Sequence, residues 1–587
     1  MLAPNRNFLW TRVFVDELAR TGLKAVCIAP GSRSTPLTMA FAEHGGIRIY
    51  PHMDERSAGF FALGMAMATN EPIALVCTSG SATANFFPAI VEAHESRIPL
   101  IVLTTDRPPE LRHSGANQTI DQIKMYGDYA LWSVDAPVPE SQPAALTIRA
   151  LRTLAARAYA TADGIGGRKG VVHVNLPFRK PLEPIEVETD HTELTEESGE
   201  GYVGAFTVMT DGAMIPSVAQ MTTLVSIIDR HERGIIVCGT KSLGENFTAA
   251  VAQLSQRTGY PIFADPTSDV RFGSHVESTA VIGGYDTFLN YPPTWEDPDV
   301  VIRFGGVPTS TLLNAYLDKI KPKHRVQVSA DGVWADDSHR THLFVHADPT
   351  LLCLSLSGRL QTRPESRWAG QIRMIEAVTW LNLGQRLGDE FFDGQVVADL
   401  IERLPDGTNL FAGNSLPIRH VEQFGRPSTK HLHVFANRGA SGIDGNVSTA
   451  LGIAAATGKP TVMLVGDITL YHDMNGLLAV QKCGVDNITI VLLNNDGGGI
   501  FHRLPVSKFD PPFTELFVMP HGLRFEHVAA LYNLAFIRAN NREDFRQAVD
   551  TTVGSRIPRM IEIRTDAAHD EARRKQIQQK VTASLQR

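Results

Sequence analysis

Two short stretches carry residue types able to hold a metal ion. The apolar run Thr461–Val465 ends in Gly466-Asp467, and a later run ends in Asn494-Asn495-Asp496-Gly497-Gly498-Gly499, with Asn495 28 residues after Asp467. A carboxylate at one strand end, an amide at the next and backbone opened by a glycine turn are all hard oxygen donors, a set that suits Mg²⁺ bridging to a diphosphate. The expected ligands are Asp467, Asn495 and the Gly497 carbonyl. Taken singly, Gly-Asp after a strand also caps helices and Asn-Asn-Asp-Gly also makes turns. Their order and spacing together favour the metal.

Such donors need a scaffold that ends strands side by side. Short apolar runs at Ala25–Ala29, Ile73–Cys77 and Pro99–Thr104 each lead into a Gly/Ser/Thr-rich turn and then a helical pattern, and the rhythm returns at Gly234–Gly239, Val300–Phe304, Leu410–Gly413, Pro460–Gly466 and Asn487–Asn494. That alternation predicts an α/β protein of three doubly wound parallel-sheet domains. A polar, Glu-rich stretch from Leu182 to Gly204 reads as a linker, and a second boundary is expected near Asn382–Phe392. The domains are thus expected at 1–185, 205–382 and 390–587.

The first and third of these are expected to be diverged copies. The segment from Ala62 to Pro72 aligns without a gap on Ala450 to Pro460, with seven identities in eleven positions and an offset of 388. Downstream, Ile73–Cys77 matches Thr461–Val465, and Ile98–Thr105 is aligned on Ile488–Asn495 at an offset of 390. Ligands of such sheets sit at the carboxyl ends of the strands, so the differences between the copies there carry the function.

Composition excludes several other classes. The 587 residues exceed one ordinary core, 43% are hydrophobic and 20% charged, and no apolar run is long enough to cross a bilayer. Residues 1–22 place Trp10, Phe14 and Leu18 at helical spacing beside Asp16 and Glu17, an amphipathic helix and not a cleaved signal. Five scattered cysteines without a CxxC pair suit buried free thiols in a reducing cytoplasm. A net charge of −8 without a basic stripe argues against nucleic acid. The chain is expected to be cytoplasmic, with no membrane insertion.

The Gly-Asp and Asn-Asn pair resembles the thiamine-diphosphate binding motif, although Ile468 stands where a glycine is usual. Further stretches resemble the succinyl-enolpyruvyl-hydroxycyclohexene-carboxylate synthase family: Ala29 to Pro36, Asp54-Glu55-Arg56, Thr78 to Asn85, Asp106 to Leu111, Gly115 to Gln118, Gly413 to Arg419 and Asn437 to Gly445. The central domain matches weakly. The resemblance implies thiamine diphosphate with Mg²⁺ (or Mn²⁺), a first domain for the pyrimidine ring and a third for the diphosphate. It implies decarboxylation of 2-oxoglutarate and addition of the resulting succinyl-semialdehyde carbanion to isochorismate, in menaquinone or phylloquinone biosynthesis. It also implies a homodimer, or two dimers paired into a tetramer, with each site drawing Glu55 from one chain and Asp467 and Asn495 from another.

Given that cofactor, a carboxyl group must bond to its aminopyrimidine ring to promote the reactive tautomer. Glu55 lies just before the duplicated helix, where the second copy has Ile443. An ordinary first-turn acid is the alternative there, and Asp54 fits that description. Ile443 would support the bent cofactor, with core packing as its alternative. Ser79, Asn414, Ser415, Ser441, Ile468 and Gly498 complete the cofactor contacts that the resemblance implies, beside Asp467, Asn495 and Gly497. Both substrates are dianions, and arginine grips a carboxylate with two parallel hydrogen bonds. Ser32, Arg33, Arg107, Asn117 and Gln118 would line the substrate pocket from the first domain, and Ser415, Arg419 and Arg438 from the third, with Ile500 and Phe501 as its apolar wall. One departure stands out: the central domain reads Pro308-Thr309-Ser310-Thr311 where the family often has a basic residue.

Two other readings use the same residues. An acetolactate-synthase-like or 2-oxoacid-decarboxylase-like enzyme would share the cofactor but handle less charged substrates, which the arginine set opposes. An inactive nucleotide- or phosphate-binding module would share the fold alone, which retention of Glu55, Asp467 and Asn495 opposes.

Overall fold

The computed structural model describes residues 3–190, 194, 203–291, 295–388 and 390–585, so residues 191–193 and 195–202 of the expected linker lie outside the described residues. Among the described residues, three six-stranded sheets are formed, and all their pairings are parallel. The first comprises β1 (Ala25–Ile28), β2 (Arg48–Pro51), β3 (Ile73–Cys77), β4 (Leu100–Asp106), β5 (Ala130–Asp135) and β6 (Val171–Pro177), in the order β2-β1-β3-β4-β6-β5. The central sheet has β7 (Gly234–Cys238), β8 (Ile262–Ala264), β9 (Val281–Ile282), β10 (Val300–Phe304), β11 (His324–Ser329) and β12 (Leu343–His346), ordered β12-β11-β10-β7-β8-β9. The third has β13 (Asn409–Ala412), β14 (His433–Phe435), β15 (Thr461–Gly466), β16 (Ile488–Asn494), β17 (Ala535–Ala539) and β18 (Arg559–Arg564), ordered β14-β13-β15-β16-β18-β17.

The inner strands β3, β4 and β16 are buried along their whole length, as parallel strands covered by helices on both faces must be, and this is why they read as unbroken aliphatic runs. The first and third sheets share one strand order, so the duplication extends through the whole sheet. Ile73 pairs with Leu100 and Thr461 with Ile488, which sets the offset at 388 for β4 and β16 as well as for β3 and β15. The expected offset of 390 is therefore corrected by two residues. Aliphatic strand residues are interchangeable enough that similarity alone slips along them, whereas hydrogen-bond register does not.

The duplicated helices also end alike. Helix Glu55–Thr69 closes on Asn70 (φ 56°) and helix Asn446–Thr457 on Gly458 (φ 63°), each in the left-handed conformation that terminates a helix. By packing, the chain forms two units. One gathers Met1–Gly212 with Gly439–Gly458 and His472–Asp486; the other gathers Ala213–Arg438, Lys459–Tyr471 and Asn487–Arg587. In the first unit the two duplicated helices pack on each other. All five cysteines are buried and free, and among the described residues no helix is long and apolar enough to cross a membrane.

Candidate active site

In the first unit, the residues singled out from the sequence gather at the carboxyl ends of β1, β3 and β4. Gly31, after β1, approaches Thr78, after β3, so closely that a Cβ on it would lie 2.2 Å from the Thr78 Cβ. The turn brings Arg33 inward, where it is buried and donates to the Phe178 carbonyl at 2.8 Å. Its Nε–H is buried without an acceptor. Arg107, after β4, bonds the Ser79 hydroxyl, and its backbone N–H meets the Asp106 carboxylate at 2.7 Å. Burial, then the neighbouring Arg107 charge, lowers the pKa of Arg33, so the two guanidinium groups share one electrostatic field.

By the 388 offset, Ser79 and Arg107 stand where the second copy has Asp467 and Asn495. The first copy thus places a fixed cation and a hydroxyl at the two strand ends that carry the candidate metal ligands in the second. Gln118 (φ 55°) donates to the Ser79 carbonyl at 2.8 Å. Ser32 and Asn117 are exposed on the flanking turns. Glu55 is half-buried at the start of its helix, whose N-cap is Asp54.

Two supporting residues here were not singled out from the sequence. Gln122 is buried, accepts from the Gly80 N–H at 2.8 Å and donates to the Asn175 side chain at 3.0 Å, fixing the turn after β3. Arg112 holds the buried Asp106 carboxylate at 3.0 Å.

Also in the first unit lies the turn that carries Ser441 and Ile443. Ser441 is left-handed (φ 61°), and Ile443 is half-buried two residues on. At its far end Gly445 (φ 64°) abuts Phe60, where a Cβ would lie 1.9 Å from the ring.

In the second unit, Asp467 opens a helix directly after β15. Its carboxylate accepts from the Ile468 N–H at 2.7 Å and the Gly497 N–H at 3.0 Å, and His521 Nε2 lies 3.3 Å away. Burial raises its pKa against the pull of these donors. On the neighbouring strand end, Asn495 Oδ1 is buried and accepts no hydrogen bond. An orphaned hard oxygen beside a strand ending in a buried carboxylate fits a divalent cation. Gly497 and Gly498 must be glycines: their Cβ atoms would fall 2.1 Å from the Val518 carbonyl oxygen and 2.3 Å from that of Phe517. The Gly497 carbonyl, the third expected ligand, also accepts from Gly499 N–H at 2.9 Å. Ile468 is half-buried beside Asp467, and Ile500 and Phe501 are half-buried after the glycines. His521 was not anticipated; it lies 26 residues beyond Asn495 in irregular chain without a periodic signal.

After β13, Asn414 is buried, donates to the Asn437 carbonyl at 2.7 Å and accepts from Arg438 at 2.9 Å. Ser415 holds the strained pair φ 74°, ψ −125°, and its carbonyl accepts from Arg419 at 2.6 Å. The helix bearing Arg419 is anchored by Arg271, fully buried and 2.6 Å from Glu422. Burial, then the Arg438 charge, lowers the pKa of Arg419. The Arg438 Nε–H, like that of Arg33, is buried without an acceptor. In the central domain, Ser310 bonds Asp286 at 2.6 Å and the Thr309 N–H bonds Asp265 at 2.7 Å, so the segment lacking the basic residue serves as a helix cap.

Gln118, Ser415, Ser441 and Asp496 are non-glycine residues at positive φ, each on or beside an expected ligand-contact position. Strain of this kind persists only where surrounding structure enforces it, and it collects at ligand sites.

Residues 10–125 match the thiamine pyrophosphate enzyme N-terminal TPP binding domain, residues 211–412 the middle domain of thiamine pyrophosphate enzymes, and residues 419–563 the C-terminal TPP binding domain. A 2-succinyl-5-enolpyruvyl-6-hydroxy-3-cyclohexene-1-carboxylate synthase of Roseiflexus castenholzii is 53% identical over 585 residues, covering 99% of this chain and 100% of that protein. The synthase of the same name from Haloarcula marismortui is 44% identical over 597 residues, covering both chains fully.

Proposed function

Because the chain belongs to the 2-succinyl-5-enolpyruvyl-6-hydroxy-3-cyclohexene-1-carboxylate synthase family of thiamine-pyrophosphate-dependent transferases, we propose that it joins 2-oxoglutarate to isochorismate with release of CO₂, in menaquinone or phylloquinone biosynthesis. One observation supports the choice of two dianionic substrates. In each unit an arginine with a buried, acceptor-less Nε–H stands beside a second arginine: Arg33 with Arg107, and Arg438 with Arg419. A buried donor without an acceptor is costly unless a ligand supplies one, and a carboxylate does so for two donors at once.

When bound, thiamine diphosphate supplies the electron sink for decarboxylation. The chain's own residues do the rest. Glu55 holds a proton at the pyrimidine ring, and Ile443 props the cofactor. Ser79, Asn414, Ser415, Ser441, Ile468 and Gly498 surround it. Asp467, Asn495 and the Gly497 carbonyl would hold Mg²⁺ or Mn²⁺, whose charge would offset that of the diphosphate. Arg33, Arg107, Arg419 and Arg438 orient the substrate carboxylates with Ser32, Asn117 and Gln118, while Ile500 and Phe501 exclude water.

The active assembly is a homodimer or a pair of dimers in the cytoplasm, each site taking Glu55 from one subunit and Asp467 and Asn495 from another. Purified protein with thiamine diphosphate, Mg²⁺, 2-oxoglutarate and isochorismate should give the coupled product by mass spectrometry. Turnover of pyruvate in preference to 2-oxoglutarate would refute the substrate assignment. Co-expressed inactive Glu55→Gln and Asp467→Ala chains should regain about half of wild-type activity per mixed dimer if sites are shared, since one site of two then has every wild-type group.

A further inference from the structure

We propose that Glu92 is a positioning residue for cofactor binding, a carboxylate that holds the turn bearing Ser441 and Ile443 in its working shape. The proposal rests on the cofactor role given to that turn above. Glu92 lies on helix Phe87–Ser96 of the first domain and is 2% exposed. One carboxylate oxygen accepts from the Gly439 N–H at 2.7 Å and from the Ser96 hydroxyl at 2.6 Å; the other accepts from Ala440 N–H at 2.8 Å and Ser441 N–H at 3.2 Å. Among the described residues, no cation pairs with it. Three successive backbone N–H groups converging on one carboxylate form an anion nest, here filled from within the protein.

This arrangement explains more than the burial of one acid. Ser441 is left-handed, a conformation a serine adopts at a cost unless its surroundings impose it, and its N–H is the third backbone donor to Glu92. Gly439 seals the contact from the other side: a Cβ there would lie 2.7 Å from the Ser96 hydroxyl oxygen and 2.9 Å from the Glu92 carbonyl oxygen. At the far end of the turn, Asn446 donates to the carbonyls of Gly442 at 3.1 Å and Asp444 at 2.8 Å. The turn is anchored before Ser441 and after Asp444, so the side chains of Ser441 and Ile443 are presented from a fixed frame. A pre-organised frame lowers the ordering cost of binding, and its loss is read first in cofactor affinity.

The test compares wild type, Glu92→Gln and Gly439→Ala. Each Mg²⁺-supplemented protein is titrated calorimetrically with thiamine diphosphate, and KM for the cofactor and kcat at saturating cofactor are measured beside thermal unfolding of the cofactor-free chain. Glu92→Gln turns an acceptor into an amide that faces backbone N–H groups. Its cofactor Kd and KM should rise about tenfold or more, as loss of a charge-assisted bond predicts, while kcat at saturation falls by a smaller factor. Gly439→Ala should show the same split, and it decides the matter if Glu92→Gln does not fold. Wild-type affinity in the folded variants, or loss of stability with unchanged affinity, would overturn the role of Glu92 alone. A wild-type chain that binds no thiamine diphosphate would overturn the cofactor reading and this proposal with it.

Discussion

Gly64 and Gly452 occupy equivalent positions in the duplicated helices, and each is the point at which its helix meets the other. A Cβ on Gly64 would lie 2.0 Å from the Thr449 carbonyl oxygen, and one on Gly452 would lie 2.1 Å from that of Phe61. Phe61 and Thr449 are themselves equivalent at the 388 offset, so the contact has local pseudo-two-fold symmetry. Backbone meets backbone here, leaving no flexible side chain to give way. Gly64→Ala should therefore destabilise the fold by about 1–3 kcal/mol, against the gain usual for Gly→Ala in a helix. Urea unfolding measures it, and a neutral or stabilised variant would contradict the close approach.

Glu55→Gln should lower turnover by roughly 10²–10⁴-fold while cofactor affinity, read by calorimetry, stays near wild type. The amide keeps the shape but cannot hold the proton at the pyrimidine ring. Near wild-type turnover would remove Glu55 from the chemistry.

Asp467→Ala should lose Mg²⁺ and thiamine diphosphate affinity together, because metal and diphosphate are ligands for each other. Titration with each alone and with both distinguishes this from a general loss of folding. Unchanged cofactor binding in the presence of Mg²⁺ would show that Asp467 is no ligand.

Arg33→Ala and Arg419→Ala should each lower kcat/KM for at least one anionic substrate by about tenfold or more, the effect of leaving a desolvated carboxylate short of a partner. Cofactor affinity should change far less. Steady-state kinetics with each substrate varied in turn would show which carboxylate each arginine serves.

His52 is buried against Phe61, with ring centroids 4.6 Å apart, and burial pushes its pKa down to about 4. In the unfolded chain the ordinary value is about 6.5. Between these values the unfolded state takes up a proton that the folded state refuses. Stability contributed by the neutral ring is fully present above about pH 6.5 and falls as pH drops towards 4, by up to ~3 kcal/mol. His173, also pushed down to about 4 by burial, acts in the same direction. His52→Phe should flatten, without abolishing, the decline of unfolding free energy across that range; an unchanged slope would contradict the assignment.

The sequence by itself determined the three-sheet architecture and most candidate ligands, because both are written locally. An aliphatic run ending in Gly-Asp or Asn-Asn-Asp-Gly-Gly-Gly declares a buried parallel strand and the chemistry at its end within a dozen residues. The repeated Ala-Leu-Gly helix declared the duplication. Only tertiary structure decided what lies across sequence distance. The 388 register of β4 and β16 came from hydrogen bonding that aliphatic side chains do not encode. The equivalence of Arg107 to Asn495 followed from that register, whereas that of Ser79 to Asp467 was already set by the offset of β3 and β15. Glu92 reads in sequence as one more helical acid, for its three backbone partners begin 347 residues away. Gln122, Arg112 and His521 were likewise unremarkable until folding set them against Gly80, Asp106 and Asp467. Such roles depend on which donors and acceptors burial brings within bonding distance, and no local pattern records that.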